Sequence, residues 1–300
     1  MDTLIDLPLV AGSFFVAIVV GLTGMGGGAL MTPMMMLFFN VPPLAAVSSD
    51  LVASAVMKPI GGAVHLRRGT VNLRLVGWLC AGSVPAAFCG VFVARAFGEG
   101  EAVQQAVKIA LGVALLLAVA GLAAKAVIGD RGGSASAKDI VVRPFPTVLV
   151  GTVGGLVVGI SSVGSGSLII VALLGLYPAL KANELVGTDL VQAVPLVASA
   201  ALGHLLYGDF QLDLTLSLLA GSIPGVYLGA RISAKAPGGI IRALLAIVLL
   251  ASALKLLGVG NGTTLWVLAA ATLAGATAWR LLPRAAARRS PESADREPAH

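Results

Sequence analysis

Two glycine-rich segments interrupt apolar stretches of the chain, and each is followed by a stretch that carries an aspartate. They read GLTGMGGGAL from residue 21 and GISSVGSGSL from residue 159. A helix interrupted among apolar neighbours leaves backbone N–H groups without partners, and the next helix begins with a partial positive charge. Helix N-termini of this kind bind anions. The two segments therefore predict an anion site, and the alternative is that their glycines only allow close helix packing.

The candidate ligands are donors in the two segments and polar residues on the helices that follow. Glycine lets an anion approach the backbone, and serine and threonine add hydroxyl donors. For Gln192 the alternative role is a hydrogen bond between helices. The predicted substrate-binding residues are Thr23, Gly24, Gly26, Gly27, Gly28, Ser161, Ser162, Gly164, Ser165, Gly166, Ser167, Ser49, Thr188, Gln192 and Lys58.

Asp50, Asp189 and Lys58 are ionisable residues within apolar stretches, where burial of a charge is costly and marks a functional pathway. Asp50 and Asp189 are predicted either to take up protons that drive transport or to hold the glycine-rich tips in place by hydrogen bonds. Lys58 follows Asp50 by two helical turns. It is predicted either to bind the anion or to neutralise Asp50. His65 and His204 are expected to cap helix ends, with a gate or proton relay as the alternative.

These residues belong to two halves of a repeated sequence. A shift of 138 residues superimposes the two glycine-rich segments, and a shift of 139 then aligns the residues after them. Glycine-broken segments at corresponding positions of two halves are typical of secondary transporters. The aligned pairs are Asp50 with Asp189, His65 with His204, Gly69 with Gly208, Gly82 with Gly221, Ser83 with Ser222, Pro85 with Pro224 and Gly90 with Gly229.

The composition indicates that most of the chain lies in a lipid bilayer. Hydrophobic residues make up 57% and charged residues 11%, against about 25% charged in soluble domains. Long unbroken apolar runs indicate helices and differ from the alternating pattern of a membrane barrel. The net charge of +6 lies in short loops, where it sets membrane orientation, so we expect no nucleic acid partner. Cys80 and Cys89 share one apolar span, so we expect neither a disulfide nor a metal site.

The apolar stretches divide the chain into helices and domains. Windows of about 20 apolar residues predict spans near 43–65, 73–95, 103–127, 183–207, 212–233, 239–257 and 263–282. The broken segments, 9–39 and 145–177, are either kinked single spans or re-entrant hairpins of two half-helices. The predicted domains are a first repeat at 1–127, a cytoplasmic linker at 128–144, a second repeat at 145–257, an extra helix at 258–282 and a disordered cytoplasmic tail at 283–300.

Loop charges favour hairpins that enter from opposite faces. The loop after His65 contains three arginines, whereas the loop after His204 contains two aspartates and neither Lys nor Arg. Because positive loops lie on the cytoplasmic side, equivalent loops are expected on opposite faces. The predicted fold is therefore an all-α polytopic membrane protein of two inverted repeats, each a glycine-broken hairpin plus three transmembrane helices, with a cytoplasmic C-terminus. A parallel arrangement of four helices per repeat is the alternative.

The glycine-rich motif GLTGMGGG with Pro33, the paired SSD and GTD sequences that end at Asp50 and Asp189, and the turns at Gly69 and Gly208 resemble the sulfite exporter TauE/SafE family. The resemblance covers about residues 9–257. It implies a bacterial or archaeal inner-membrane carrier of small anions such as sulfite, thiosulfate, sulfonates or sulfoacetate. The second segment departs from the first by its serines, so the two half-sites are not expected to be equivalent.

The sequence carries no ATPase or metalloprotease motif, and we expect a transporter without cofactors rather than an enzyme. The alternatives are a passive anion channel and, less favoured, an intramembrane enzyme that uses Asp50 and Asp189 as a catalytic pair. The expected partners are a small anionic substrate and the lipid bilayer, with a homodimer as an open alternative.

Overall fold

The structure is a computed structural model that describes residues 5–23, 27–67, 71–96, 100–128, 140–164, 166, 168–180, 182–233 and 238–287. Within these ranges the chain is all-helical, as the sequence predicts. The helices are α1 Leu7–Thr23, α2 Gly28–Phe38, α3 Pro43–Arg67, α4 Leu73–Ala96, α5 Glu101–Ile128, α6 Pro144–Ser161, α7 Leu168–Leu176, α8 Ala182–Tyr207, α9 Leu212–Ser233, α10 Gly238–Leu256 and α11 Asn261–Ala287.

Each glycine-rich segment separates the antiparallel arms of a helical hairpin. A Cβ placed on Gly12 of α1 would lie 3.1 Å from the Phe39 ring, at the far end of α2. In the second hairpin, the hydroxyl groups of Thr147 and Tyr177 lie 2.6 Å apart, where α6 begins and just after α7 ends. The first arms have 17 and 18 residues, so the expectation of two half-helices per hairpin holds only for the shorter second arms.

Two helix pairs pack closely through glycines at every fourth position of one helix. A Cβ on Gly155 of α6 would overlap the backbone of Ser83 on α4, and one on Gly225 of α9 would overlap the Phe14 carbonyl on α1. Backbones that approach this closely gain van der Waals contact, which stabilises helix pairs in lipid. The two glycine rows are Gly151, Gly155 and Gly159 on α6 and Gly221, Gly225 and Gly229 on α9.

The central pair of helices, α3 and α8, is antiparallel. Ser48 near the start of α3 lies 2.8 Å from the His204 ring near the end of α8. Towards the other end of the pair, a Cβ on Gly62 would lie 3.1 Å from Val194. The helix α4 runs parallel to α8, because Gln192 bonds Ser83 and Ser199 bonds the Val84 carbonyl. Asp50 and Asp189, both buried, lie on these two contacting helices.

The polarity of the bundle is inverted relative to a soluble protein. Its exposed side chains include many large apolar ones, such as Phe145 and Trp266, whereas Asp50, Gln192 and His204 are fully buried. Five helical segments within the described ranges are long and apolar enough to cross a membrane: Leu73–Ala96, Glu101–Ala123, Pro144–Ser161, Glu184–Tyr207 and Leu212–Gly229. The helix α3 is as long but is not among them, and it carries Asp50 and Lys58. This arrangement fits a polytopic membrane protein.

The last helix, α11, belongs to a separate compact unit that begins at Val259, close to the predicted boundary at residue 258. It continues to Ala287, past the predicted end at residue 282. Residues 288–300, the rest of the predicted tail, lie outside the described residues, as does most of the predicted linker at 128–144.

The substitution Gly155→Ala is expected to destabilise the protein by about 1–3 kcal/mol, because its methyl group must push α6 away from the Ser83 backbone. Gly77→Ala on α4 is the matched control, since nothing lies within 4 Å of a Cβ there. The control is expected to be neutral or slightly stabilising. Thermal unfolding of the two purified variants in detergent measures the difference, and equal midpoints would contradict the close packing of α4 and α6.

Candidate functional site

The Asp50 carboxylate joins the two broken segments. Its Oδ2 accepts hydrogen bonds from Thr32 Oγ1 of α2 at 3.0 Å and from Ser162 Oγ, directly after α6, at 2.6 Å. All three residues are at least 95% buried. Hydrogen bonds to an ionised acceptor are about twice as strong as those between neutral groups. A residue of the first half therefore fastens both its own hairpin and the hairpin of the second half.

The tips of the hairpins touch at the same place. A Cβ on Gly28, the first residue of α2, would overlap the Ser162 carbonyl, so the N-terminus of α2 lies against the second break. Ser162 has φ +59°, a left-handed conformation that ends α6, and Gly164 and Gly166 also have positive φ. Gly27 caps α2 without a side-chain hydrogen bond. The described residues thus bring a half-helix N-terminus to a strained, hydroxyl-bearing turn.

The predicted ligands in the breaks are only partly described. Gly27, Gly28, Ser161, Ser162 and Gly164 are buried at the tips, and Gly166 is half-buried. The Ser161 hydroxyl donates to the Val157 carbonyl of its own helix. Gly24, Gly26, Ser165, Ser167 and the Thr23 side chain lie outside the described residues.

Lys58 lies between the two aspartates. It interacts electrostatically with the carboxylates of Asp50 on the same helix and of Asp189 on α8. The aspartates themselves are far apart, because Ser48 contacts His204, which follows Asp189 by fifteen residues, about 22 Å of helix. Two carboxylates share one proton only in direct contact. This spacing argues against the catalytic pair that was the alternative reading of Asp50 and Asp189.

The surroundings of the two aspartates differ. The repeat counterparts of Ser162 and Thr32 are Gly24 and Ile170, which have no hydroxyl group. Asp189 is 1% exposed, and its Oδ1 has no hydrogen-bond partner among the described residues. Asp50 Oδ1 is likewise unpartnered, but its Oδ2 is bonded twice. The duplicated aspartates therefore keep the same position and differ in their donors.

Gln192, one turn after Asp189, forms the predicted alternative bond between helices. Its Nε2 donates to Ser83 Oγ of α4 at 2.6 Å. Its Oε1 is buried without a partner in the described part of the chain. The repeat counterpart of Gln192 is Ala53, and the counterpart of Ser83, Ser222, is correspondingly left with a buried unpartnered hydroxyl.

Ser49 and Thr188 tie each half of the chain to the other. The backbone N–H of Gln211 donates to Ser49 Oγ at 3.3 Å, and that of Asn72 donates to Thr188 Oγ1 at 3.1 Å. A shift of 139 residues relates the two bonds. Both hydroxyls thus fix the loop before a helix of the opposite half, and their role in substrate binding stays a prediction.

His204 caps a helix, as expected, but the helix is α6 rather than its own. Its Nε2 lies 2.6 Å from the Gly159 carbonyl, which only accepts, so this nitrogen carries the hydrogen. Its Nδ1 lies 2.8 Å from Ser48 Oγ. The side chain therefore satisfies a carbonyl of the last turn of α6 and links the second hairpin to α3. The His65 side chain lies outside the described residues.

Thr32, Ser48 and Ser83 were not among the sequence candidates. Thr32 carries the one available signal, because it is a lone hydroxyl residue among the apolar residues of α2. Ser48 and Ser83 gain their roles from helices far away in the sequence, so spacing alone does not reveal them. Within the described ranges, no group of three His, Cys, Asp or Glu side chains is arranged to hold a metal ion.

Comparison with known proteins relates this sequence to membrane transporters. Residues 9–256 match the family model described as "Sulfite exporter TauE/SafE". The chain is similar to the probable membrane transporter protein YjnA of Bacillus subtilis (strain 168), with 33% identity over 84% of this chain and 100% of YjnA. It is also similar to the probable membrane transporter protein YdhB of the same organism, with 22% identity over 76% of this chain and 91% of YdhB. No solved structure matches.

The Asp50 bonds predict a measurable loss of stability. Ser162→Ala and Thr32→Val each remove a donor to a buried carboxylate, and each is expected to cost about 1.5–3 kcal/mol. Ser199→Ala is the control, because that hydroxyl donates to a neutral carbonyl, and its expected cost is about 0.5–1.5 kcal/mol. Denaturation of the detergent-solubilised variants compares the three, and a control that is as costly as Ser162→Ala would refute a special role for Asp50.

Proposed function

Because the chain belongs to the sulfite exporter TauE/SafE family of membrane transporters, we propose that it is a secondary transporter of small sulfur-containing or organic anions. Sulfite, thiosulfate, sulfonates and sulfoacetate form the proposed substrate class. The carrier works by alternating access in the inner membrane and takes its energy from a cation gradient, with the proton as the first candidate. The observation that carries the proposal is the meeting of both broken helices at Asp50, because broken helices bind transported ions at the repeat interface.

The two halves are inverted repeats in this proposal. The helix directions follow from contacts: α3 is antiparallel to α8, and α4 is parallel to α8. The glycine rows align α6 parallel to α4 and α9 parallel to α1. A loop of only four residues joins α8 to α9, so α9 runs antiparallel to α8. Since α1 is parallel to α9, and α6 is parallel to α4 and therefore to α8, α1 runs opposite to α6. These directions support hairpins that enter from opposite faces and disfavour the parallel alternative.

Lys58 binds the anion in this proposal. An inverted repeat places its pseudo-two-fold axis where equivalent residues of α3 and α8 lie side by side. The contacts of Ser48 with His204 and of Gly62 with Leu190 and Val194 put that point close to Lys58. A residue on the axis lies at a similar depth from both faces, which is where secondary transporters bind substrate. This position also explains why one lysine, whose counterpart is Val197, serves both halves.

The moving bodies in this mechanism contain helices of both repeats. The close glycine contacts join α4 to α6 and α1 to α9, and each pair combines one helix from each half. Packed backbones move together, whereas side-chain contacts permit sliding. We propose that α4 and α6 move as one body against α1 and α9, with the hairpin tips that Asp50 holds together as the pivot.

The orientation completes the proposal. The arginine-rich loop after His65 and the basic tail lie in the cytoplasm, which places the C-terminus there. Of the two aspartates predicted to take up protons, Asp189 does so in this proposal, because Asp50 Oδ2 is already held by two hydroxyl groups. The bilayer and the anion are the partners, and a homodimer is the proposed alternative to a monomer.

Uptake of labelled sulfite, thiosulfate and a simple sulfonate into proteoliposomes, with and without an imposed pH gradient, tests the function. A carrier gives saturable uptake that the gradient drives uphill. Uptake that does not saturate and only follows the anion gradient would indicate a channel. No flux of any of the three anions would overturn the proposed substrate class.

Lys58→Met is expected to reduce anion affinity by at least about 30-fold, because loss of one buried charge partner costs about 2–5 kcal/mol. Lys58→Arg keeps the charge and is expected to retain part of the uptake. Lys108→Met, on the half-buried face of α5, is the matched control for removal of a lysine. Concentration dependence of uptake measures the effect, and unchanged affinity in Lys58→Met would remove this residue from the site.

A further inference from the structure

The difference between the two aspartates points to a second ligand. Asp189 Oδ1 and Gln192 Oε1 are buried oxygen acceptors on successive turns of α8, and the described residues donate no hydrogen bond to either. Side chains three residues apart lie on the same face of a helix. A buried acceptor without a donor costs about 1–3 kcal/mol, so two neighbouring ones require an explanation. A bound cation supplies what both oxygens lack.

The charge balance of the core points the same way. Lys58 interacts electrostatically with both Asp50 and Asp189, and when all three groups are ionised one negative charge is in excess. A transported anion would add another in a region where charges are poorly screened. A single positive charge bound at Asp189 offsets this excess. Asp50 is the less suitable place, because its Oδ2 is already held by two hydroxyl groups.

The elements packed against α8 contain few groups that compete for this role. Lys58 acts on Asp189 from α3, whose other ionisable residues are Asp50, His65 and Arg67. On α8 itself, Glu184 precedes Asp189, and His204 and Tyr207 follow it. Helices α6 and α7 carry no ionisable residue. The ionisable residues of α4 are Arg74, Cys80, Cys89 and Arg95, and within the described residues Lys58 is the charged group that acts on Asp189.

We propose that Asp189 and Gln192 form the binding site of a coupling cation, a proton or a sodium ion, and that Asp50 is a fixed structural latch between the hairpins. Both cations suit an unpartnered carboxylate and an amide oxygen, since hard cations bind oxygen ligands. In this proposal Asp189 binds the cation and Asp50 holds the hairpins together, whereas two equivalent aspartates would each do both. The inference rests on the proposed transporter function but concerns a different ligand.

The test uses the full-length protein in detergent without any anionic substrate. One arm measures the infrared band of a protonated carboxyl group across pH, which detects proton uptake. The other arm measures the thermal midpoint in sodium chloride against choline chloride at constant ionic strength, which detects sodium binding. One of the two signals is expected in the unmodified protein, and the arm that responds identifies the cation.

Asp189→Asn is expected to abolish the signal, and Gln192→Ala, which restores the residue type of its counterpart Ala53, is expected to weaken it. Asp50→Asn is the matched control, in which the signal is expected to persist despite lower stability. If Asp189→Asn does not fold, the signal of Gln192→Ala is the test of the proposal. No signal in the unmodified protein, an unchanged signal in either α8 variant, or its loss in Asp50→Asn alone would overturn the proposal. Failure of anion uptake would instead overturn the transport proposal and leave these readouts unaffected.

Discussion

The buried Asp50 carboxylate is the interaction on which the arrangement of both hairpins depends. A carboxylate inside an apolar bundle is stable only when donors surround it, and here the donors come from α2 and from the end of α6. The shared carboxylate makes the two tips one structure, and the contact of Gly28 with Ser162 leaves no room for a side chain between them.

The rest of the bundle supplies the stiffness that this contact requires. Lipid removes the hydrophobic drive for helices to associate, so close backbone packing and polar contacts replace it. The glycine rows of α6 and α9 provide the first, and the crossed bonds of Ser49 with Gln211 and of Thr188 with Asn72 provide the second. Each of these contacts joins the two halves, so neither half forms the site alone.

The sequence predicted the elements well and their pairing poorly. Apolar length and the glycine breaks located the hairpins, because a break in an apolar run has a local cause in backbone chemistry. The family resemblance from the glycine and aspartate motifs was confirmed over residues 9–256. Thr32 and Ser83 were missed, since their importance comes from Asp50 and Gln192 on other helices. Residue spacing reports which side chains share a helix face and does not report which helix lies opposite.

The asymmetry between the halves has a physical basis in the position of Lys58. In the proposed inverted repeat, a group on the pseudo-two-fold axis serves both halves, and a second lysine at Val197 would place two positive charges side by side, which disfavours the charged form of both. One lysine cannot neutralise both aspartates at once, so the two carboxylates are stabilised by different groups. Asp50 has hydroxyl donors in addition to Lys58, whereas Asp189 has Lys58 and, one turn away, an amide oxygen that has no partner among the described residues. The sequence repeat gives both halves an aspartate at the same position, and the single lysine that interacts with both makes the two halves unequal.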